Sequence, residues 1–254
     1  MTKPQLGTLA WAELTRGNLR RSDRRKQILS ALGIKLSLMA KSLLRLHPKI
    51  HHVDLDTIII PDSAIAQNAT DLCQEVSSDM LANHCLRTYF WGALLAAADN
   101  LNYDAELFYT AALLHDLGLT ENFSFKNTNC DCFAYEGAIA AEKFARDKGC
   151  WPREKSQRLA EAICLHLNLI VPQHLGIEAH LLHEGAVADL IGARINSISP
   201  DNTKSVLERY PRLKFKEEII PLLSEQAKRR PQCRMALHMA GGLGKLIFKA
   251  PFDD

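Results

Sequence analysis

No stretch of this chain approaches the roughly 18–20 consecutive apolar residues of a membrane-spanning helix, so no membrane association is expected. A charge excess of one sign is also missing. The 31 basic residues stand against 29 acidic ones, a net +2, and so balanced a surface calls for neither nucleic acid nor an anionic membrane as partner. The opening run Met1-Thr-Lys-Pro-Gln-Leu-Gly-Thr-Leu-Ala-Trp11 is too polar to read as a secretory signal. A disulfide framework is lacking as well: the seven cysteines are an odd number, and Cys85 and Cys164 lie in apolar helical patterns where cysteine acts as a small hydrophobe. The expected compartment is the reducing cytoplasm.

Several catalytic signatures are absent. There is no G-x-S-x-G elbow and no cysteine in a catalytic setting. Gly241-Gly-Leu-Gly-Lys245 imitates a phosphate loop, but Met239 and Leu246 stand where glycine and Ser/Thr are needed. Cys130-Asp-Cys132 has one spacer residue and no second pair, which is not zinc-knuckle spacing. Internal repeats, low-complexity tracts and strand ladders are missing too.

What remains is helix. The 47% apolar content of 254 residues suffices for a core, and the length suits one large domain. Residues 1–60 read as an N-terminal helical extension, with a basic run from Arg16 to Lys26, a helix-like stretch to about Leu46, and surface histidines His47, His51 and His52. Residues 61–200 read as the main domain and 201–254 as short helices packed on it, punctuated by Pro200, Pro211, Pro221 and Pro231. Within the main domain the patterns predict helices from about Asp62 to Val76, Asp79 to Ala98, Asp104 to Asp116, Tyr135 to Lys148, Pro152 to Leu167 and Leu181 to Ile195. Gly118 is the expected stop of the third. The polar stretch Asn122 to Cys132 is longer than an ordinary connection and is a candidate lid. The expected fold class is all-α.

Chemistry enters where polar residues interrupt the apolar helices. His115-Asp116 ends the run Ala111-Ala-Leu-Leu-His-Asp-Leu-Gly-Leu119. Alone, the pair reads equally as a buried imidazole–carboxylate hydrogen bond or as metal ligands. His84, His166 and Asp189 sit in three further apolar helices; an unpaired buried carboxylate such as Asp189 costs several kcal/mol, so taken alone it would pair with Arg194 or another basic group. Successive helices can bring imidazoles and carboxylates to one point, a set suited to Zn, Fe, Mn or Ni.

The order His84, His115-Asp116, Asp189, with spacings of 31 and 73 residues, resembles the HD-domain superfamily over roughly residues 78–195. Within it, His84-x-x-Arg87 with Tyr89-Phe-Trp91, Leu113-Leu-His-Asp-Leu-Gly-Leu119 and Phe133-Ala-Tyr-Glu-Gly-Ala138 are most similar to the cyanamide hydratase-like group. The resemblance implies a helical metal-binding domain that holds a divalent ion through His84, His115, Asp116 and Asp189. One ion is expected rather than two. His166 fits the first extra histidine of binuclear members, whereas His174, His180 and His183 lack context. It further implies a metal-dependent hydrolase, of phosphohydrolase or related type, acting on a small molecule by way of activated water, with cyanamide-type hydration as the alternative and a non-catalytic module with a structural metal as a third reading. Asp116, His166 and Arg87 are the candidate catalytic residues, and Glu136 and Trp91 the candidate substrate contacts. Homo-oligomerisation stays open. One position departs from the pattern: many HD phosphohydrolases carry a lysine where this chain has Leu119, which argues against a strongly phosphate-directed site.

Overall fold

The computed structural model describes residues 3–43, 49–126 and 130–253. The expected helix end at Leu46, His47 and the middle of the polar loop (127–129) lie outside these residues. In chain order the helices are α1 (Leu9–Thr15), α2 (Arg21–Leu43), α3 (Ala64–Val76), α4 (Asp79–Ala98), α5 (Ala105–Leu114) and α6 (Phe133–Gly149). They continue with α7 (Arg153–Leu165), α8 (Ile177–Ile191), α9 (Pro200–Arg209), α10 (Phe215–Arg229), α11 (Arg234–Ala240) and α12 (Leu243–Phe248). Among the described residues there is no β-strand, only a single parallel bridge between His51 and Ile198. The fold is all-α.

Local chemistry sets the helix starts that matter for the site. Ser78 Oγ accepts from Leu81 N at the head of α4, and Asp104 accepts from Leu107 N at the head of α5; each satisfies a backbone donor the helix cannot. Helix α8 begins and ends four residues earlier than the apolar pattern predicts, because Gly192 takes the left-handed conformation (φ 73°) and stops it. The apolar Ile195 beyond this stop belongs to a short 3-10 turn, Ile195–Ser197. Pro221 does not punctuate the C-terminal region but lies inside α10.

Helix α4 lies against α8 with little between them. A Cβ on Gly185 would fall 2.1 Å from the carbonyl oxygen of Thr88, so the backbones approach more closely than any side chain allows. That closeness brings His84 on α4 within reach of Asp189 on α8. The core around them is one apolar cluster drawn from α3 to α8, and it includes Trp11 and Ala12 of α1. The first turns of the chain are therefore part of the packed body.

Candidate metal centre

Helix α5 ends at Leu114, and the chain leaves it through His115 (φ −65°, ψ −29°) and Asp116 (φ −104°, ψ 14°) into a 3-10 turn, Leu117–Leu119. Gly118 is not the left-handed stop that the sequence predicts. Its φ is not positive, and a Cβ there would lie 2.0 Å from Phe133 O. Glycine is needed because the start of α6 rests directly on this turn.

The turn aims the His115-Asp116 pair at His84 and His166. Asp116 Oδ2 lies 3.3 Å from His115 Nε2 and 3.5 Å from His84 Nε2, and Oδ1 lies 3.9 Å from His166 Nε2. All four side chains are buried. His84, His115 and Asp116 form a group whose ligand atoms lie within 4.8 Å of one another.

The other ring nitrogens define the tautomers. His115 Nδ1 faces Ala112 O at 2.8 Å and His166 Nδ1 faces Ile163 O at 2.6 Å. A carbonyl oxygen only accepts, so each Nδ1 carries the proton and donates. His84 Nδ1 faces Asp189 Oδ2 at 2.7 Å, with the same consequence. With the rings neutral, three Nε2 lone pairs and a carboxylate converge without a hydrogen between them. Acceptors facing acceptors in a buried site need a cation. The donor set of imidazole nitrogens and carboxylate oxygen fits a divalent transition metal, with backbone or carboxylate groups orienting each ring from behind.

The electrostatics show the same demand for positive charge, here met by a proton between His115 and Asp116. Burial works against the charged form of Asp116, but the neighbouring His115 charge and hydrogen bond outweigh it and hold the carboxyl well below the usual range. His115 is opposed by burial and nonetheless raised, chiefly by Asp116. Burial first, and then the His115 charge, push His166 down to about 3. With Nδ1–H committed to Ile163, a neutral His166 presents an acceptor to the site and not a donor.

The other expected site residues fall elsewhere. The carboxylate of Asp189 lies behind the His84 ring, outside the three-residue group. It accepts from His84, from Arg87 Nε (2.7 Å) and a second Arg87 nitrogen (2.9 Å), and from Trp91 Nε1 (2.8 Å). Burial would raise it, but the Arg87 charge and the His84 and Arg87 hydrogen bonds hold it far below the ordinary value. Arg87 and Trp91 are fully buried in this network. Arg87 also donates to the Tyr210 and Pro211 carbonyls, and Trp91 stacks on Phe252. The hydrogen bonds of both go to Asp189 and to the 210–211 carbonyls, and none goes to His115, Asp116 or His166. Glu136 is buried and tethers the start of the polar loop: it accepts from the backbone N–H of Phe125 (3.0 Å) and Lys126 (2.7 Å) and pairs with Arg230. His180 and His183 bond to the backbone carbonyls of Val171 and His166, and His174 lies in the Gln173–Leu175 turn. None of the three joins the cluster.

Sequence reasoning passed over Arg212 and Phe215. Phe215 stacks on the His84 ring at 5.0 Å. Arg212 lies 4.6 Å over Phe215 and reaches Asp189 Oδ1 at 3.4 Å. The segment Tyr210-Pro-Arg-Leu-Lys-Phe215 has no period to expose them. The available cue was Asp189 itself, a buried carboxylate needing cationic partners.

Residues 81–199 match the family model of the HD domain. The match runs from the first turn of α4 past the end of α8 and takes in His84, His115, Asp116 and Asp189. No curated protein matches the chain.

Proposed function

We propose that the protein is a metal-dependent hydrolase of a small, weakly charged molecule. The observation that carries this reading is the convergence of three imidazole Nε2 lone pairs on the Asp116 carboxylate, in a stretch matching the HD domain. His84, His115 and Asp116 would hold one divalent ion. When bound, such an ion supplies Lewis acidity and lowers the pKa of a water toward about 7. Asp116 has a second carboxylate oxygen, Oδ1, on the His166 side, placed to orient that water. His166, neutral and with its Nε2 lone pair on the Oδ1 side, would accept a hydrogen bond from that water and help to orient it. Asp189 keeps the His84 proton on Nδ1, and Arg87 with Trp91 keeps Asp189 in place.

The residues packed around the cluster suit a weakly charged substrate. Leu119, Phe133 and Phe215 belong to one buried apolar cluster beside the histidines. The nearby arginines are engaged elsewhere: Arg87 and Arg212 on Asp189, Arg230 on Glu136, and Arg234 on Asn168. The same apolar wall favours, as a second reading, hydration of a nitrile-type carbon, in which water adds and nothing leaves.

The test is metal analysis of the purified protein, then turnover of phosphoesters, nucleotides, amides and cyanamide with Zn, Fe, Mn or Ni restored. Expected are about one ion per chain, lost in Asp116→Ala, and turnover of an uncharged substrate above that of phosphoesters. Failure to take up any of these metals would overturn the reading.

A further inference from the structure

The basic segment near the N-terminus plays no part in the metal centre, and the helix it begins departs from the body. Two turns anchor α2. Asp23 is buried, accepts from Trp11 Nε1 at 3.4 Å and pairs with Lys3 at 3.7 Å, while Arg24 donates to Pro231 O at 2.9 Å. Gln27 is the last buried residue of the helix among those described. From Ile28 to Ser37 every residue is exposed except Ile34, which is half-buried. A helix standing in water should be polar all round. This one exposes Ile28 (50%), Leu29 (68%), Leu32 (52%) and Leu36 (66%).

The placement is regular. Arg25, Leu29, Leu32 and Leu36 follow one another at intervals of four, three and four residues, and Arg21, Arg25, Ile28 and Leu32 at four, three and four, so all six share one face. Asp23 and Gln27, which hold α2 to the body, lie on the other. Lys26 and Lys35 are exposed and flank the stripe. The outward face thus begins with arginines and becomes apolar as it leaves the body.

Charge decides among occupants. Residues 16–49 hold ten of the chain's 31 basic residues and one of its 29 acidic ones, so the near-neutral total hides a strongly basic segment. A second copy laid on this face would bring like charges together. Nucleic acid would use the arginines and leave the leucines in water. We propose that α2 docks the protein on an anionic lipid surface, inserting Ile28, Leu29, Leu32 and Leu36 among the acyl chains while Arg21, Arg25, Lys26 and Lys35 meet the headgroups. The expectation from net charge, that no membrane is contacted, is replaced by this reading of where the charge lies.

The experiment is co-sedimentation of the full-length protein with vesicles rich in phosphatidylglycerol, with pure phosphatidylcholine vesicles as the control. The protein should sediment with the anionic vesicles alone and release as salt approaches about 1 M, where charges are screened within about 3 Å. Arg21→Gln with Arg25→Gln should weaken partitioning about 25-fold, from roughly a kcal/mol for each basic residue near the surface. Leu32→Glu should abolish it, with helix content and metal content unchanged as the folding control. Absence of sedimentation with anionic vesicles at low salt overturns the proposal. So does a concentration-dependent dimer that Leu32→Glu dissociates, or nucleic-acid binding indifferent to Leu32→Glu; each assigns the face to another occupant.

Discussion

His84 Nδ1 donates to Asp189 Oδ2 across 2.7 Å, and this contact decides which nitrogen His84 has left for the site. A carboxylate behind a ligating imidazole fixes the ring and raises its basicity, and losing it typically costs 10–100-fold in metal affinity. Asp189→Asn should therefore weaken metal binding by about 10–100-fold, read by titration calorimetry on the folded protein. It should also lower the unfolding free energy by about 3–5 kcal/mol, because Arg87 is left as an uncompensated buried charge. Complete loss of metal in a variant that stays folded would make Asp189 a ligand and refute its supporting position.

His166 tests the division between holding the ion and positioning the water. Its Nε2 lies 3.9 Å from Asp116 Oδ1, on the opposite oxygen from the one near His84 and His115. His166→Gln should keep the metal within about tenfold of the parent affinity and lower kcat by about 10²-fold, the cost of a misplaced reactant. Metal content by elemental analysis and turnover on one preparation separate the two effects. Equal loss of metal and turnover would place His166 among the ligands.

The His-Asp pair and the helical class were legible because their signals are local: a ligand pair ending an apolar run, and a 3.6-residue period from α3 to α8. The work of Asp189, Trp91 and Glu136 was not legible, because each is defined by a partner far away in the chain. Asp189 meets His84, Arg87 and Trp91 from α4 and Arg212 from beyond α9. Glu136 meets Arg230. Spacing can group residues that share a helix, but it cannot say which side of a histidine ring a carboxylate will occupy. Gly118 shows the same limit: glycine after a helix usually means a left-handed cap, whereas here a close backbone approach requires it.

Glu136 gives a prediction about the polar loop. Its carboxylate holds the N–H groups of Phe125 and Lys126 and pairs with Arg230, all near the start of α6. Replacing it with alanine leaves Arg230 buried beside donors that have lost their acceptor, a change worth about 3–5 kcal/mol in other buried pairs. Glu136→Ala should speed amide exchange at residues 123–126 and lower the urea midpoint, while the metal stays bound. Protection at 123–126 equal to that of the parent would show that the loop is held by something else.

The head of α5, the helix that leads into His115, supplies a pH test. Lys155 reaches Asp104 at 3.0 Å and Glu106 at 2.7 Å, and Asp104 also caps the helix through Leu107 N. Partial burial opposes ionisation of both carboxyls, but the Leu107 N–H and Lys155 outweigh it for Asp104, and Lys155 for Glu106, so both are lowered. A lowered carboxyl stabilises the fold above its unfolded pKa, and that contribution fades as pH falls through the folded value. These side chains remain about one-third to one-quarter exposed, so the pair contributes about 0.5–1 kcal/mol and not more. Lys155→Met should cost that amount in urea unfolding near neutral pH, and the difference from the parent should shrink below about pH 4, as carboxyls with ordinary values of about 4 take up protons. A cost that stays constant across that range would mean Lys155 stabilises α5 through its contact with Trp151 (4.4 Å to the ring centroid) and not through charge.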